Sequence, residues 1–104
     1  MADGFARESV TVDNTGGGVA LTDATFSPTG GIPADHAFLT VETAQIRFTY
    51  DGTAPTTTLG HLAEPGDVIK LDSAQSIKNF LAIRTGGVSG ILQVTYERGG
   101  GLGW

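Results

Sequence analysis

The sequence predicts an all-β fold: an antiparallel β-sandwich, immunoglobulin-like or jelly-roll in topology. It would have about seven or eight short strands and one short helical turn near residues 73–78. Three observations predict it. Apolar residues recur with period two, the spacing that sends alternate side chains to opposite faces of a strand. The alternating runs are bounded by Gly, Pro and Asp about every ten residues. The composition is that of a turn-rich β protein, with 16 glycines in 104 residues and only 16% charged residues, where about 25% is usual. The chain length suits a single domain over 1–104.

Taken in order, residues 1–8 have no clean alternation and read as an irregular N-terminal arm. Val10 and Val12 then alternate with Ser9, Thr11 and Asp13. Asn14 to Gly18 breaks the run, and residues 19–27 read as a strand ending before Pro28. Two prolines and two glycines make 27–33 a loop, since neither ladder nor helix accommodates them. Leu39 and Val41 alternate with Phe38, Thr40 and Glu42, and Ile46, Phe48 and Tyr50 with Gln45, Arg47 and Thr49. Thr43-Ala44 lies between these sets as a bend, a bulge or the middle of one long strand. Asp51-Gly52 and Pro65-Gly66-Asp67 are turn signals. Ile69 and Leu71 form the next inward set. Asp72-Ser73 is placed to cap the helical turn, and Leu81 and Ile83 fit a strand. Gly86-Gly87 reads as a hairpin turn into a closing strand with Leu92, Val94 and Tyr96 inward. A Gly-rich tail, 99–104, follows.

Composition excludes several classes of function. The net charge is −5, and Arg7, Arg47, Lys70, Lys78, Arg84 and Arg98 are scattered singly. Direct nucleic-acid binding is therefore not expected. The chain has no cysteine, hence no disulfide and no thiolate metal or redox site. MADGFARESV lacks the apolar run of a signal peptide, and no stretch is long and apolar enough for a transmembrane helix.

No catalytic constellation emerges, and the chain does not read as an enzyme. A nucleophile needs a base beside it; the histidines are His36 and His61, and no serine sits in a G-x-S-x-G elbow. Asp51, Asp67 and Asp72 stand at turns or caps, where Asp serves the local backbone, and their spacing matches no calcium loop. Glu42 and Glu97 fall on the strand faces opposite the aliphatic sets, with Arg47 or Arg84 as cross-strand partners. The triple glycines at 16–18 and 99–101 lack the flanks of a phosphate loop. No cofactor and no metal are expected. Trp104, after a glycine spacer, stands outside every strand pattern, and three readings stay open: an anchor on its own domain, an anchor in a neighbouring subunit, or a disordered end.

Two resemblances add to this reading. Ile46-Arg47-Phe48-Thr49-Tyr50-Asp51-Gly52-Thr53-Ala54-Pro55-Thr56 resembles the strand-and-turn of chitobiase C-terminal-like sandwiches, with Phe48 where those have Tyr; it marks a fold and implies no activity. Residues 34–98 carry the runs VETAQIRFTYDGTAPT, GHLAEPGDVIKL and IKNFLAIRTGGVSGILQVTYER. This succession resembles small virion proteins of tailed bacteriophages. The resemblance implies a structural virion protein made in the bacterial host cytoplasm: a capsid decoration (cement) protein that binds and stabilises the shell. A head–tail connector or a tail or fibre accessory protein is the alternative, and a carbohydrate-binding sandwich a second one. The implied partners are the major capsid protein or other virion proteins and further copies of the chain, a trimer being one option. No membrane is involved. The irregular segments supply the expected contact residues: Phe5, Ile32, Leu102 and Trp104.

Overall fold

The computed structural model describes residues 2–27 and 33–99. Among them are eight strands: β1 (Ala2–Val12), β2 (Val19–Ala20), β3 (His36–Glu42), β4 (Ile46–Thr49), β5 (His61–Ala63), β6 (Val68–Leu71), β7 (Leu81–Arg84) and β8 (Gly90–Gly99). Two short helices, α1 (Asp23–Phe26) and α2 (Ala74–Asn79), accompany them. One sheet has the order β1-β8-β3-β6 and the other β2-β7-β4-β5. All pairings are antiparallel; β1 with β8, β2 with β7, β3 with β6 and β4 with β5 are nested, and β3 with β8 and β4 with β7 join these pairs into the two sheets. A long hairpin rolled over on itself gives this nesting, which selects the jelly roll over the immunoglobulin-like topology. The connection from β4 to β5 stays within its sheet; each of the others crosses between sheets.

The period-two sets form the core between the sheets. Val10, Val12, Leu39, Val41, Ile69, Leu71, Leu92, Val94 and Tyr96 line the first sheet's inner face. Ile46, Ala63 and Ala82 line the second, and Ile77 and Phe80 of the α2 region close one end. Ser73 caps α2 as the sequence predicts, its Oγ accepting a bond from the Ser76 amide at 3.1 Å.

Three expectations are corrected. Residues 2–8 are not an irregular arm: they are part of β1, bonded along β8 from Ala2–Gly99 to Val12–Gly90, with a bulge between Gly4 and Ala6. The bulge shifts the phase of the side chains, which is why no alternation shows there. Residues 19–27 are a two-residue strand followed by α1; Thr22 at the helix start donates its hydroxyl to Glu8 Oε1 at 2.6 Å instead of capping. Gly86-Gly87 is not a hairpin turn, because β7 and β8 belong to different sheets. The C-terminal residues 100–104 lie outside the described residues.

The bend at Thr43 is a γ-turn. The Ala44 amide donates to the Glu42 carbonyl at 2.9 Å, and Thr43 has φ 76°, the rare, strained hand of that turn. It carries the chain from the first sheet to the second. Where β8 begins, Gly90 passes over this crossing so closely that a Cβ would lie 2.6 Å from Ile46 Cγ2 and 3.0 Å from the Ala44 oxygen.

Candidate functional site

At one long side of the sandwich the two sheets end in strands that are not bonded to each other. β5 ends the second sheet and β6 ends the first. Ala63, Ile69 and Leu71 of these edge strands are buried, but the rings beside them reach solvent. Period two along β4 sends Ile46 into the core and leaves Phe48 half-buried and Tyr50 47% exposed at this side. The register of β5 sets His61 opposite Phe48.

The result is a ring cluster. Phe48 lies 5.6 Å from the buried Phe80, 5.4 Å from His61 and 6.4 Å from Tyr50, and Tyr50 lies 5.7 Å from His61 (centroid distances). Phe80 is fully buried, so the cluster is anchored in the core and its outer members are held by stacking. Opposite them, Ile69 and Leu71 complete a cleft of about 400 Å³ between the sheets. A second hollow of about 670 Å³ adjoins it on the far side of Tyr50 and His61, walled by Asp51, Thr53 and Leu59. A third, of about 220 Å³, connects Tyr50 with Lys70, Asp72 and the start of α2.

The loop between β4 and β5 is held by its own polar groups. Arg47 donates from Nε to the Thr57 carbonyl at 3.0 Å and from Nη1 to the Gly60 carbonyl at 2.9 Å. The Asp51 carboxylate accepts the Thr53 amide at 3.0 Å, and this bond holds its carboxyl below the usual aspartate range. Leu62 on β5 and Val68 on β6 are about half exposed, as is Leu59 in the loop. Tyr50, Leu62 and Val68 border the first hollow, and Leu59 borders the second with Tyr50. Phe38 on the first sheet's outer face and Val88 in the β7–β8 loop are exposed elsewhere.

Of the contact residues expected from sequence, Phe5 is the residue without a partner in the β1 bulge, and its side chain lies outside the described residues. Ile32, Leu102 and Trp104 also lie outside them. His61 belongs to the ring cluster, whereas His36 lies on β3 with Nδ1 2.7 Å from Asp35 Oδ1. Glu42 and Glu97 do not pair with Arg47 or Arg84: the glutamates lie in the first sheet and the arginines in the second. Glu42 accepts from Gln93, and Arg84 donates to Ser89. Among the described residues no group of three or more His, Asp or Glu side chains is placed to hold a metal ion, and no helix is long and apolar enough to cross a membrane.

A polar group inside the sandwich is structural. The Tyr96 hydroxyl donates to Glu8 Oε2, and Glu8 also takes the Thr22 amide at 3.1 Å. Burial, and then the Glu8 carboxylate, push the Tyr96 phenol well above its usual range. Together these bonds tie β1, β8 and the start of α1.

Sequence reasoning missed the ring cluster. Phe48 and Tyr50 carried the alternation of core residues, and only the free edge turns that inner face into a surface. No family model matches this chain, and neither does any curated protein or solved structure.

Proposed function

We propose that this chain is a structural virion protein of a tailed phage, a decoration protein that binds and stabilises the capsid shell as a homo-oligomer. The observation that carries the reading is the exposure of Tyr50, Leu59, Leu62 and Val68 around the two hollows beside β5 and β6, in a chain with few charges. Grouped apolar exposure marks a surface to be covered by a partner. The resemblance of residues 34–98 to small phage virion proteins supports it, as does the jelly roll itself, an architecture that capsid proteins share with lectins and cupins. Fold alone does not assign a function, so the exposed apolar residues and the resemblance carry the weight. Many copies on one lattice offset weak single contacts by avidity. Connector, tail and fibre positions are the alternative placements within the particle.

The test is light scattering of the purified protein, followed by co-sedimentation with emptied phage heads. A discrete oligomer that pellets with heads, and stops pelleting on L62E or V68E with far-UV circular dichroism unchanged, is the expected result. A monomer that stays in the supernatant overturns the decoration reading.

The Phe48–Tyr50–His61 cluster favours a second reading, a glycan-binding module, because exposed rings beside carboxylates suit sugar rings. Glycan-array binding lost in Tyr50→Ala, together with no sedimentation with heads, would replace the first reading with this one.

A further inference from the structure

Each sheet ends in two edge strands, and three of these four edges are short. β2 has 2 residues, β5 has 3 and β6 has 4, whereas β1 has 11. A short edge guards against edge-to-edge pairing, and a long one is a template for a further strand. β1 is bonded to β8 along one side. On its other side every second residue turns its N–H and C=O outward. From Ala6 to Val12 none of these groups has a backbone partner among the described residues. The stretch holds neither proline nor lysine, the residues that commonly block such an edge. The bulge between Gly4 and Ala6 ends the regular ladder on one side, and the strand ends at Val12 on the other. Glu8, Val10 and Val12 face inward, Glu8 being bonded to Tyr96 and Thr22. Arg7, Ser9 and Thr11 are exposed on the outer face, and Asp13 follows at the next position of that phase.

The charges of this edge are complementary to themselves in one register. A two-fold axis normal to the sheet pairs β1 with β1 antiparallel and keeps both apolar inner faces on the same side. Such a pairing is centred on a residue. Centred on Arg7 or on Glu8, it opposes like charges, which destabilises a cross-strand pair. Centred on Ser9, it sets Arg7 against Thr11. Centred on Val10, it sets Arg7 against Asp13 of the second copy, Ser9 against Thr11, and Val10 against Val10. Symmetry makes the Arg7–Asp13 pair twice. Centres beyond Val10 leave most of the strand unpaired. We propose that the chain dimerises through β1 in the register centred on Val10, so that the four-stranded first sheets of two copies join into one continuous sheet. The backbone ladder supplies the affinity, and the two Arg7–Asp13 pairs fix the register. The inference names an interface and does not rest on the virion reading.

The test is sedimentation velocity of the purified protein over a wide range of concentration. A monomer–dimer equilibrium is expected. Arg7→Asp sets an aspartate against Asp13, and Asp13→Lys sets a lysine against Arg7. Each variant is expected to raise the dimer Kd by about tenfold or more, with native far-UV circular dichroism. Mixed in equal amounts, the two variants form a heterodimer in which both contacts again join opposite charges, so the dimer returns. Val10→Cys is the further variant should Asp13→Lys fail to fold. The chain has no cysteine of its own, and directly opposed Cβ atoms lie about 4.5–5.5 Å apart, so mild oxidation is expected to give a disulfide-linked dimer. A monomer at every concentration overturns the proposal, as does a trimer. A dimer that both charge variants leave unchanged overturns it, since the interface then lies elsewhere. Variants that stay monomeric when mixed, or a Val10→Cys protein that oxidation leaves unlinked, overturn the register. Head binding is read separately: a dimer that does not sediment with heads removes the virion reading alone, and a trimer that does sediment removes this inference alone.

Discussion

Thr43 sits in a conformation that its branched side chain disfavours. Its φ of 76° and the Ala44-to-Glu42 bond place an L-residue with a crowded Cβ where glycine is at ease, at a cost of about 1–2 kcal/mol. Its side chain is exposed, so little packing is lost on removal. Thr43→Gly is expected to raise stability by roughly 0.5–1 kcal/mol once the freer unfolded chain is counted, read as a higher urea midpoint at unchanged slope. A lower midpoint would mean that the threonine side chain holds the crossing in a way the turn geometry does not reveal. Two aspartates contribute to the acid response of the molecule. Asp13 is held low by the Thr15 hydroxyl and then by the Thr15 amide, Asp51 by the Thr53 amide. Both are lower folded than unfolded, so their stabilisation is complete above the ordinary aspartate value of 3.8. It is lost as pH falls through the still lower folded values. Thermal melts are expected to be flat with respect to these groups at neutral pH and to decline below about pH 4, less steeply in Asp51→Asn. The turn at Asp51 was legible as Asp followed by Gly, because an Asp carboxylate reaches the amide two residues on; Asp13 read as the end of an alternating run, with the break placed at Asn14. Thr43 was legible only as a break, since nothing in Glu42-Thr43-Ala44 announces a positive φ.

At the scale of the element, α2 is short and depends on its cap. Ser73 accepts the Ser76 amide, and α2 places Ile77, with Phe80 just beyond it, at full burial against the sheets. Ser73→Ala is expected to cost about 1 kcal/mol, with Ser73→Asp restoring most of it, both measured by urea unfolding. A null effect of Ser73→Ala would mean that burial of Ile77 and Phe80 alone fixes the helix. This cap and the strands around it were readable because each is a local pattern: a small polar residue before a turn of helix, or an apolar residue at every second position. Where the local pattern fails, so did the reading. In β1 the bulge at Gly4–Ala6 breaks the phase, yet β8 supplies a ladder that needs only backbone groups. In α1 four residues are too few to show a helical period. Which strand pairs with which was not readable at all. In a jelly roll most partners are distant in sequence, so turn residues such as Gly86-Gly87 mark a crossing between sheets as readily as a hairpin. The ring cluster was missed for the same reason, since Tyr50 is a surface residue only because β5 and β6 end their sheets.

The nesting of the whole molecule implies an order of folding. β4 and β5 are joined within one sheet by a loop whose carbonyls are gripped by Arg47, so their pairing closes the shortest loop of the four nested pairs. β1 and β8 stand at the opposite extreme, with Val12 facing Gly90 and Ala2 facing Gly99. Closing that pair first would carry the largest entropy loss, whereas closing it after β2–β7 and β3–β6 leaves little further loss. A fold so rich in distant pairings is expected to fold in milliseconds to seconds. The order of closure makes a sharper prediction, read from stopped-flow folding and unfolding limbs in urea. Ile46→Ala and Val10→Ala both delete buried core groups and are each expected to cost about 2 kcal/mol or more. Ile46→Ala, in β4, should act mainly by slowing folding, because its contacts are made in the transition state. Val10→Ala, in β1, should leave the folding rate nearly unchanged and accelerate unfolding by roughly tenfold for each 1.4 kcal/mol lost. The reverse pattern would mean that the outer pair β1–β8 organises the sandwich and the inner hairpin follows. Equal partition in both variants would mean that the two sheets condense together, with no pair leading.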